Sequence, residues 1–294
     1  MTVKGFEQRR VLSSDPKIGA IADYWNAHIH DLEIATHPVG TAGFFAELDE
    51  YRFDKLRYLP QVVNFEGYRG KKLLEVGCGL GIDLVRFARA GAAVTGIDLA
   101  PVSIGLARQY FEQNSLAADL RVMDGQALEF ADDSYDVVYA HGVLQYTADA
   151  PKMIAEIVRV LRPGGEAIVM VYNKYSWLYA LSKLMKVDLE HKDAPVLETY
   201  SIGDLKRMLR PFAEVRIVPE RFPVESRLHH GLKGTLYNKV FVKAFNVLPK
   251  VLVRPTGWHL VAFARKGRWA VGSKQWAVGP SKTQDGQWVV GGRW

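Results

Sequence analysis

The sequence contains a single cysteine, no long apolar run and no apolar stretch at its start. One Cys among 294 residues, Cys78, excludes a disulfide framework and a zinc site with four cysteine ligands. No run of about 18 apolar residues without a charge occurs, so no membrane-spanning helix is predicted. The opening residues MTVKGFEQRRVLSSD carry charges and lack the apolar centre of a signal peptide. We therefore expect a cytoplasmic protein.

Acidic residues are scarce in the C-terminal part of the chain. Ser226 to Trp294 contain twelve Lys and Arg but one acid, Asp285, which is a net charge of +11 and leaves −5 for residues 1–225. Such a basic region favours an anionic partner, although it can also be a solvated face. Four of the seven tryptophans lie in residues 267–294, where WAVG occurs twice and WVVG once. We predict that this low-complexity tail is disordered.

Short apolar runs alternate with helical patterns between Lys71 and Tyr172. The runs KKLLEVG, AAVTGID, DLRVMD, YDVVYA and EAIVMVY are typical of strands, and DLVRFARA, PVSIGLARQYFEQN and PKMIAEIVRVLRPGG of the helices between them. Strands that are apolar on both faces and alternate with helices indicate a parallel sheet covered on both sides. The predicted fold is therefore α/β, a doubly wound, Rossmann-like sheet.

The remaining chain falls into three further parts. The patterns AEVRIV and HLVAFAR predict two more strands, which extend the sheet domain over residues 71–266. An insert, residues 219–258, separates these two strands. Residues 1–70 are predicted to form an N-terminal helical lid, rich in aromatic residues and histidine.

Three glycines follow the first predicted strand in LLEVGCGLGIDL, Leu73 to Leu84. A strand that turns at once into a helix needs permissive backbone angles and space for a ligand, and glycine provides both. The dinucleotide fingerprint G-x-G-x-x-G would need a third glycine at Ile82, whereas the spacing is E-x-G-x-G-x-G from Glu75. The acid in this turn disfavours a phosphate and favours a cationic ligand or one that carries amine and hydroxyl donors.

Two further carboxylates end neighbouring predicted strands. Asp98 ends the second strand, 21 residues after Gly77, where a carboxylate accepts from ribose hydroxyls. Asp124, with the backbone around Gln126 and Ala127, ends the third strand beside the same crevice and can accept from the amine of adenine. A ligand with adenine, ribose, a positively charged amino-acid end and no phosphate is S-adenosylmethionine.

The motifs LLEVGCGLG, VTGIDLA, VMDGQALEFADDSYDVVYAHGVLQY and IVRVLRPGGEAIV, in this order, resemble those of class I S-adenosylmethionine-dependent methyltransferases. The nearest similarity is to the type 11 branch, which acts on small molecules, quinones and lipids. The resemblance covers about Lys71 to Tyr172 and implies seven strands, the last antiparallel. It implies Gly77, Gly79 and Gly81 under the methionine, Asp98 on the ribose, and His141 to Leu144 beside the sulfonium. The full set of predicted cofactor-binding residues is Glu75, Gly77, Cys78, Gly79, Gly81, Asp98, Leu99, Asp124, Gly125, Gln126, Ala127 and His141.

Candidate catalytic and acceptor-binding residues lie around this turn and in the N-terminal segment. His141 stands where the fourth strand opens into the crevice, and is either a general base or a polar wall of the cofactor pocket. Cys78 is better explained as a small packed residue than as a nucleophile. Tyr24, Trp25 and His37 are candidates for closing the pocket over the methyl group, and the predicted acceptor pocket is completed by Tyr146.

No metal site is predicted. His28 and His30 would point about 200° apart on a helix, which makes them a poor pair of metal ligands. A metal is also unnecessary for methyl transfer from a sulfonium, where the protein has to align two reactants and exclude water.

The insert combines basic and apolar residues. On one continuous helix, Lys239, Lys243, Lys250 and Arg254 would fall within about 60° of one another, although Pro249 is expected to kink or end that helix. A basic amphipathic segment over 237–254 can lie on an anionic membrane, which would make the protein peripheral to it. The alternative is a helix that caps its own sheet, with its cations in water.

The sequence therefore predicts S-adenosylmethionine-dependent methyl transfer to a small-molecule or lipid-like acceptor by an in-line step. One alternative is a nicotinamide-dependent enzyme, which the missing third glycine disfavours. Another is a non-catalytic S-adenosylmethionine-binding module. Nucleic acid is disfavoured as the acceptor, because AHGVLQY stands after the fourth strand where an Asn/Asp-Pro-Pro-aromatic motif would be expected.

Overall fold

The computed structural model describes residues 15–185, 191–223, 235, 237–249, 253–268, 281–282 and 288–289. Its centre is a seven-stranded sheet with the order β3-β2-β1-β4-β5-β7-β6. Strands β1 to β5 pair in parallel, and β7 runs antiparallel to both of its neighbours. The α/β fold with an antiparallel last strand is therefore confirmed. The strands are β1 (Lys72–Val76), β2 (Ala93–Asp98), β3 (Asp119–Val122), β4 (Tyr135–His141), β5 (Leu161–Tyr172), β6 (Glu214–Glu220) and β7 (His259–Arg265).

Helices cover the two faces of the sheet. Most begin at a residue that favours a helix start: Asp149 caps one helix by accepting from the backbone N–H of Lys152, and Ser201 and Asp204 form a capping box at another. The helices are α1 (Pro16–Ala27), α2 (Ala42–Lys55), α3 (Leu59–Val62), α4 (Ile82–Arg89), α5 (Pro101–Gln113), α6 (Ala150–Val160), α7 (Trp177–Met185), α8 (Ile202–Met208) and α9 (Val242–Val247).

The core consists of two apolar layers, one on each side of the sheet. Leu73 packs into one layer and Leu74 into the other, and both are completely buried. Successive strand residues point to opposite faces, so a strand buried on both sides has to be apolar throughout. Phe44 and Phe45 of α2 belong to the first layer. The N-terminal segment therefore shares the core of the sheet domain.

Several predicted boundaries differ from the structure. The Arg162-Pro-Gly-Gly stretch, expected to close helix α6, lies inside β5. Helix α1 ends at Ala27, so His28 caps it and His30 lies beyond it, and their expected placement on one helix is wrong. Among the described residues, no group of three or more His, Cys, Asp or Glu side chains is arranged to hold a metal ion.

The insert lies between β6 and β7 as predicted, but it is not one continuous helix. A π-helical turn, Tyr237–Phe241, leads into α9, which ends at Val247 before Pro249. Arg254 begins a separate 3-10 turn, so Lys239 and Arg254 do not share a helix, and Lys250 lies outside the described residues. In the described part of the chain, no helix is long and apolar enough to cross a bilayer. Most of the predicted tail, residues 267–294, also lies outside the described residues.

Candidate cofactor and acceptor site

The glycine turn between β1 and α4 has the backbone conformation that its sequence predicts. Gly77, Gly79 and Gly81 have φ values of 68°, 52° and 75°, in the left-handed region that glycine tolerates best. A Cβ at Gly77 would come within 2.4 Å of the Val143 side chain. Gly81 is the N-cap of α4. The turn therefore brings the backbone close to the loop that follows β4.

A cavity of about 230 Å³ opens at this turn, at the carboxyl ends of β1, β2 and β4. This is where ligands bind in open parallel sheets. Of the predicted acceptor-pocket residues, Trp25 and Tyr146 line the cavity, whereas Tyr24 and His37 do not. Gly81 and Ala127 are also absent from its wall. The predicted cofactor-binding residues that do line it are Glu75, Gly77, Cys78, Gly79, Asp98, Leu99, Asp124, Gly125, Gln126 and His141.

Glu75 is a buried carboxylate at the floor of this cavity. Its side chain is 4% exposed, and its Oε2 atom has no hydrogen-bond partner among the described residues. Burial and the nearby charge of Asp83 raise the pKa of Glu75 well above its usual range, although Arg52 opposes the shift. A positively charged ligand at this position would satisfy the unpaired oxygen.

Asp98 and Asp124 hold the loops on either side of the cavity. The two carboxylate oxygens of Asp98 accept from the backbone N–H groups of Gly79, at 2.9 Å, and Ala100, at 2.8 Å. Burial raises the pKa of Asp98, and these backbone N–H groups oppose the shift. Asp124 Oδ1 accepts from the backbone N–H of Gln126 at 2.9 Å. Each carboxylate oxygen has two lone pairs, so both side chains keep acceptor capacity for a ligand.

Arg52 from α2 and Asp83 from α4 form an ion pair in the wall of the same cavity. Arg52 Nε donates to Asp83 Oδ1 at 2.6 Å, and Nη2 donates to Oδ2 in a bidentate pair. The Tyr139 hydroxyl donates to the same carboxylate at 2.8 Å. Burial alone would raise the pKa of Asp83, but the guanidinium outweighs it and the pKa is lowered. The pair fastens the N-terminal segment to the glycine turn.

A chain of hydrogen bonds continues from Arg52 across the cavity wall. Arg52 Nη2 lies 3.3 Å from His141 Nδ1, and His141 Nε2 lies 3.2 Å from the Tyr58 hydroxyl. The same hydroxyl lies 2.6 Å from His259 Nδ1, and His259 Nε2 lies 3.0 Å from Arg221 Nη1. The hydrogen-bond chain thus runs from α2 through the end of β4 and the residue before α3 to β7 and the first residue after β6.

The two guanidinium groups decide the direction of every bond in this chain. An arginine can only donate, so Nδ1 of His141 and Nε2 of His259 must be acceptors. Burial and the neighbouring guanidinium lower the pKa of His141 to about 3 and that of His259 well below its usual range, so both rings are neutral. Each ring then carries its proton on the nitrogen that faces Tyr58, whose oxygen accepts from both.

This arrangement argues against His141 as a general base. One ring nitrogen accepts from Arg52 and the other donates to Tyr58, so no lone pair is left for a proton from the acceptor. His141 does line the cavity, which fits the alternative of a polar wall.

The hydrogen-bond chain also contains residues that the sequence analysis did not single out. Arg52, Tyr58, Arg221 and His259 belong to no motif, and Tyr58 and His259 are 201 positions apart in the sequence. Only the fold brings them together. Arg52 is one of six charged residues on α2, so the sequence carried no signal that set it apart.

The N-terminal residues form the outer wall of the cavity. The Trp25 ring packs edge-on against Tyr146, with ring centroids 4.9 Å apart. The hydroxyl of the preceding residue, Tyr24, donates to Asp193 Oδ1 at 2.9 Å. His30 Nδ1, just beyond α1, lies 2.8 Å from His191 Nε2, so the residues that follow α1 contact the segment that begins at His191.

His37 lies elsewhere. Its Nδ1 atom lies 2.8 Å from Glu47 Oε1, and its side chain is 56% exposed. The structure therefore does not place His37 over the methyl group.

Comparison with known proteins agrees with this architecture. Residues 74–169 match the family described as "Methyltransferase domain". This part of the chain is a class I S-adenosylmethionine-dependent methyltransferase domain. The domain has the predicted fold, and the family resemblance, with S-adenosylmethionine as its cofactor, is confirmed.

Two curated relatives illustrate the similarity. The domain region is 32% identical over 166 residues to a ubiquinone biosynthesis O-methyltransferase of Cereibacter sphaeroides. This match covers 55% of this chain and 63% of that protein. It is 35% identical over 104 residues to a phosphatidylethanolamine N-methyltransferase of the same species. This second match covers 35% of this chain and 51% of that protein. The chain thus spans between about half and 63% of the length of these relatives.

A solved structure supports the fold over a longer stretch. Magnesium protoporphyrin IX methyltransferase of Synechocystis PCC 6803, solved with bound S-adenosylhomocysteine, superposes with a TM-score of 0.55 at 17% identity. The match covers 86% of this chain and all of that one. The similarity therefore extends beyond the domain core to the flanking elements.

Proposed function

We propose that the protein transfers the methyl group of S-adenosylmethionine to a small or amphiphilic acceptor. The observation that carries this proposal is Glu75, a buried carboxylate with an unpaired oxygen on the floor of the cavity. The ionised form of this buried acid needs a partner of opposite sign, and the ammonium group of the cofactor's methionine would provide one. The adjacent glycine turn leaves room for that part of the cofactor.

The other predicted contacts fit the remaining parts of the cofactor. Asp98 at the end of β2 would accept from the ribose hydroxyls, and Asp124 with the backbone at Gly125 and Gln126 would bind the adenine. The segment from His141 to Leu144 would pass beside the sulfonium. When bound, the cofactor supplies an activated methyl group, and the protein has to align the acceptor with it and exclude water.

The acceptor would lie between the cofactor and the N-terminal segment. The wall on this side contains the Trp25, Tyr146 and Tyr172 rings, which can pack against an apolar or aromatic acceptor. The hydrogen-bonded chain through His141 and His259 adds a neutral polar surface. This combination suits a molecule with an apolar body and a small polar head group.

An amphiphilic acceptor is also suggested by the relatives. The name of one places it in ubiquinone biosynthesis, and that of another gives phosphatidylethanolamine, a lipid, as its substrate. The insert of this protein exposes apolar side chains beside its lysines: Val240 is 56% exposed, Val247 85% and Leu248 49%. We therefore extend the proposal to a reversible contact between the segment 237–254 and an anionic membrane from which such an acceptor would be drawn.

Isothermal titration with S-adenosylmethionine, S-adenosylhomocysteine and NAD tests the cofactor. We expect binding of the first two and none of NAD, and the reverse would favour a nicotinamide-dependent enzyme. Formation of S-adenosylhomocysteine with a metabolite extract then tests transfer. Binding of S-adenosylmethionine without any turnover across polar and lipid fractions would favour the non-catalytic module.

A further inference from the structure

Gln145 is a buried side chain that the proposed cofactor contacts leave unexplained. It follows β4 in the 3-10 turn Leu144–Tyr146 and is completely buried. Its backbone carbonyl accepts from the N–H of Glu198 at 2.8 Å, so the backbone is fixed from the other side. Neither the nitrogen nor the oxygen of its side-chain amide has a hydrogen-bond partner among the described residues.

An unpaired buried amide is rare because it is costly. Both amide atoms lose their hydrogen bonds to water when they are buried, and an apolar residue of similar shape would avoid that loss. The neighbouring residue Leu144 shows that the turn accepts such a side chain, since it is equally buried. A group that binds the amide in the working protein would account for a glutamine at this position.

The amide stands directly behind the wall of the cavity. A Cβ placed on Gly142 would lie 3.7 Å from Gln145 Nε2 and 3.6 Å from the Met170 side chain. Gly142 and Met170 both line the cavity, whereas Gln145 does not. Gly142 therefore stands between the amide and the cavity without a side chain, within the segment His141 to Leu144 that is predicted to flank the sulfonium.

We propose that the Gln145 amide binds the polar head group of the methyl acceptor. The inference rests on the proposed function, because it assigns the acceptor side of the same cavity. A primary amide is neutral and offers both donors and an acceptor, so it matches an uncharged hydroxyl or carboxamide better than a carboxylate or an ammonium group. The acceptor class is thus a molecule with an uncharged hydroxyl- or amide-bearing head group and an apolar body.

The variant Gln145→Met separates this role from a structural one. Methionine keeps the length and flexibility of the side chain but removes the amide. If the amide has no partner inside the protein, its removal leaves the melting temperature unchanged or raises it, and leaves S-adenosylhomocysteine affinity unchanged. A structural amide predicts a lower melting temperature instead. The matched control is Gln61→Met, an exposed glutamine whose amide donates to the Arg57 carbonyl.

Small aromatic probes test the head group on protein saturated with S-adenosylhomocysteine. Benzamide and phenol are neutral, whereas benzoate and benzylammonium have similar size and opposite charges. We expect the neutral probes to bind more tightly than both ions by ligand-observed NMR. We also expect their affinity to fall about tenfold or more in Gln145→Met and to stay unchanged in Gln61→Met.

The outcomes separate this inference from the function on which it rests. If the wild type does not bind S-adenosylhomocysteine, the proposed function itself fails. If it does bind, three results overturn the role of Gln145 alone: full probe affinity in Gln145→Met, preference for a charged probe, or no binding of the neutral probes. A melting temperature several degrees lower in Gln145→Met would likewise show that the amide has a structural partner.

Discussion

Glu75 combines a structural cost with a proposed binding role. Its pKa is raised in the folded protein, chiefly by burial, so folding favours its neutral form and disfavours its ionised form. For a carboxylic acid this means that stability is lost as the pH rises through the usual range of the group towards its raised pKa. At neutral pH the side chain therefore weakens the cofactor-free protein.

The change Glu75→Gln should expose both effects. We expect a higher unfolding free energy for the cofactor-free protein at pH 7, because an isosteric neutral amide replaces the buried acid. S-adenosylmethionine affinity should fall by about 1.5–3 kcal/mol, the range for a hydrogen bond to a charged group. Urea unfolding and titration calorimetry measure the two quantities. Unchanged affinity in a folded variant would remove Glu75 from the site.

His141 and His259 give the protein a pH dependence of the opposite sign. Their pKa values are lowered in the fold, chiefly by burial and then by the guanidinium groups, so below about pH 6.5 the unfolded chain binds more protons. The stability that comes with the two neutral rings is present above pH 6.5 and is lost as the pH falls. Each ring contributes a slope of about 1.4 kcal/mol per pH unit in this range.

The variant His141→Gln should reduce the slope of the unfolding free energy against pH by about 1.4 kcal/mol per pH unit, the contribution of one proton. The measurement is the unfolding free energy in urea at pH 6.5, 6.0, 5.5 and 5.0, at constant ionic strength, for the wild type and the variant. Equal slopes would mean that His141 is protonated in the fold, which contradicts its acceptor role towards Arg52.

At the residue scale, the sequence predicts those site residues that belong to a local motif. Glu75, Gly77 and Asp98 lie in short stretches whose spacing reflects one turn and one strand end, and all three line the cavity. Tyr58 and His259 could not be found this way, because each has its polar partner on another element far along the chain. His37 was misplaced because aromatic and histidine composition does not tell which face of a segment points inward.

At the scale of elements, a buried ion pair between Arg52 and Asp83 fastens α2 to the start of α4, beside a more exposed pair of Asp49 with Arg86 between the same two helices. The Asp83 side chain is 2% exposed and that of Arg52 18%. A buried pair adds little compared with apolar residues, but removal of one partner leaves an uncompensated charge. The sequence predicts α4 and a helical N-terminal segment but not this contact, which depends on how that segment packs against the sheet domain.

The change Arg52→Met should lower the unfolding free energy by about 3 kcal/mol, because Asp83 is left buried without its partner. The double change Arg52→Met with Asp83→Leu should recover part of that loss. As a control, Arg57→Met affects an arginine that is 58% exposed and pairs with Asp54, and it should cost less than about 0.5 kcal/mol. An effect no larger than that of the control would mean that the pair does not hold α2 in place.

Element boundaries were predicted well where apolar strands and strong capping residues mark them. The strands β1, β2 and β4 lie where the apolar runs indicated, because each is buried on both faces. The insert was predicted less well. Its apolar and basic residues fit a helix locally, but Pro249 follows the end of α9 and Arg254 lies in a separate turn.

At the scale of the whole molecule, charge is distributed unevenly along the chain. The net charge is +11 from Ser226 to Trp294 and −5 over residues 1–225. Lys239 and Lys243 are exposed, and Val240, Val247 and Leu248 between and beyond them are exposed as well. Apolar side chains that stay in water beside cations match the surface of an anionic bilayer, which offers both acyl chains and negative charge.

The membrane contact predicts co-sedimentation with vesicles that contain an anionic lipid, strong at low salt and weak at high salt. Each lysine near such a surface contributes about 1 kcal/mol, so the changes Lys239→Gln, Lys243→Gln, Lys250→Gln and Arg254→Gln together should abolish it. S-adenosylmethionine affinity should be unaffected, because the three of these residues that the structure describes, Lys239, Lys243 and Arg254, do not line the cavity.

A matched control separates the location of these charges from the net charge of the protein. Changing the exposed cations Lys71, Lys152, Lys206 and Arg210 to Gln removes four charges from the acidic body and leaves the insert intact. This variant should still bind the vesicles, because attachment would depend on where the cations lie rather than on the total. Equal loss of binding in both variants would indicate a general electrostatic attraction. If the wild type ignores anionic vesicles at low salt, the insert is better explained as a cap over a pocket for an acceptor taken from water.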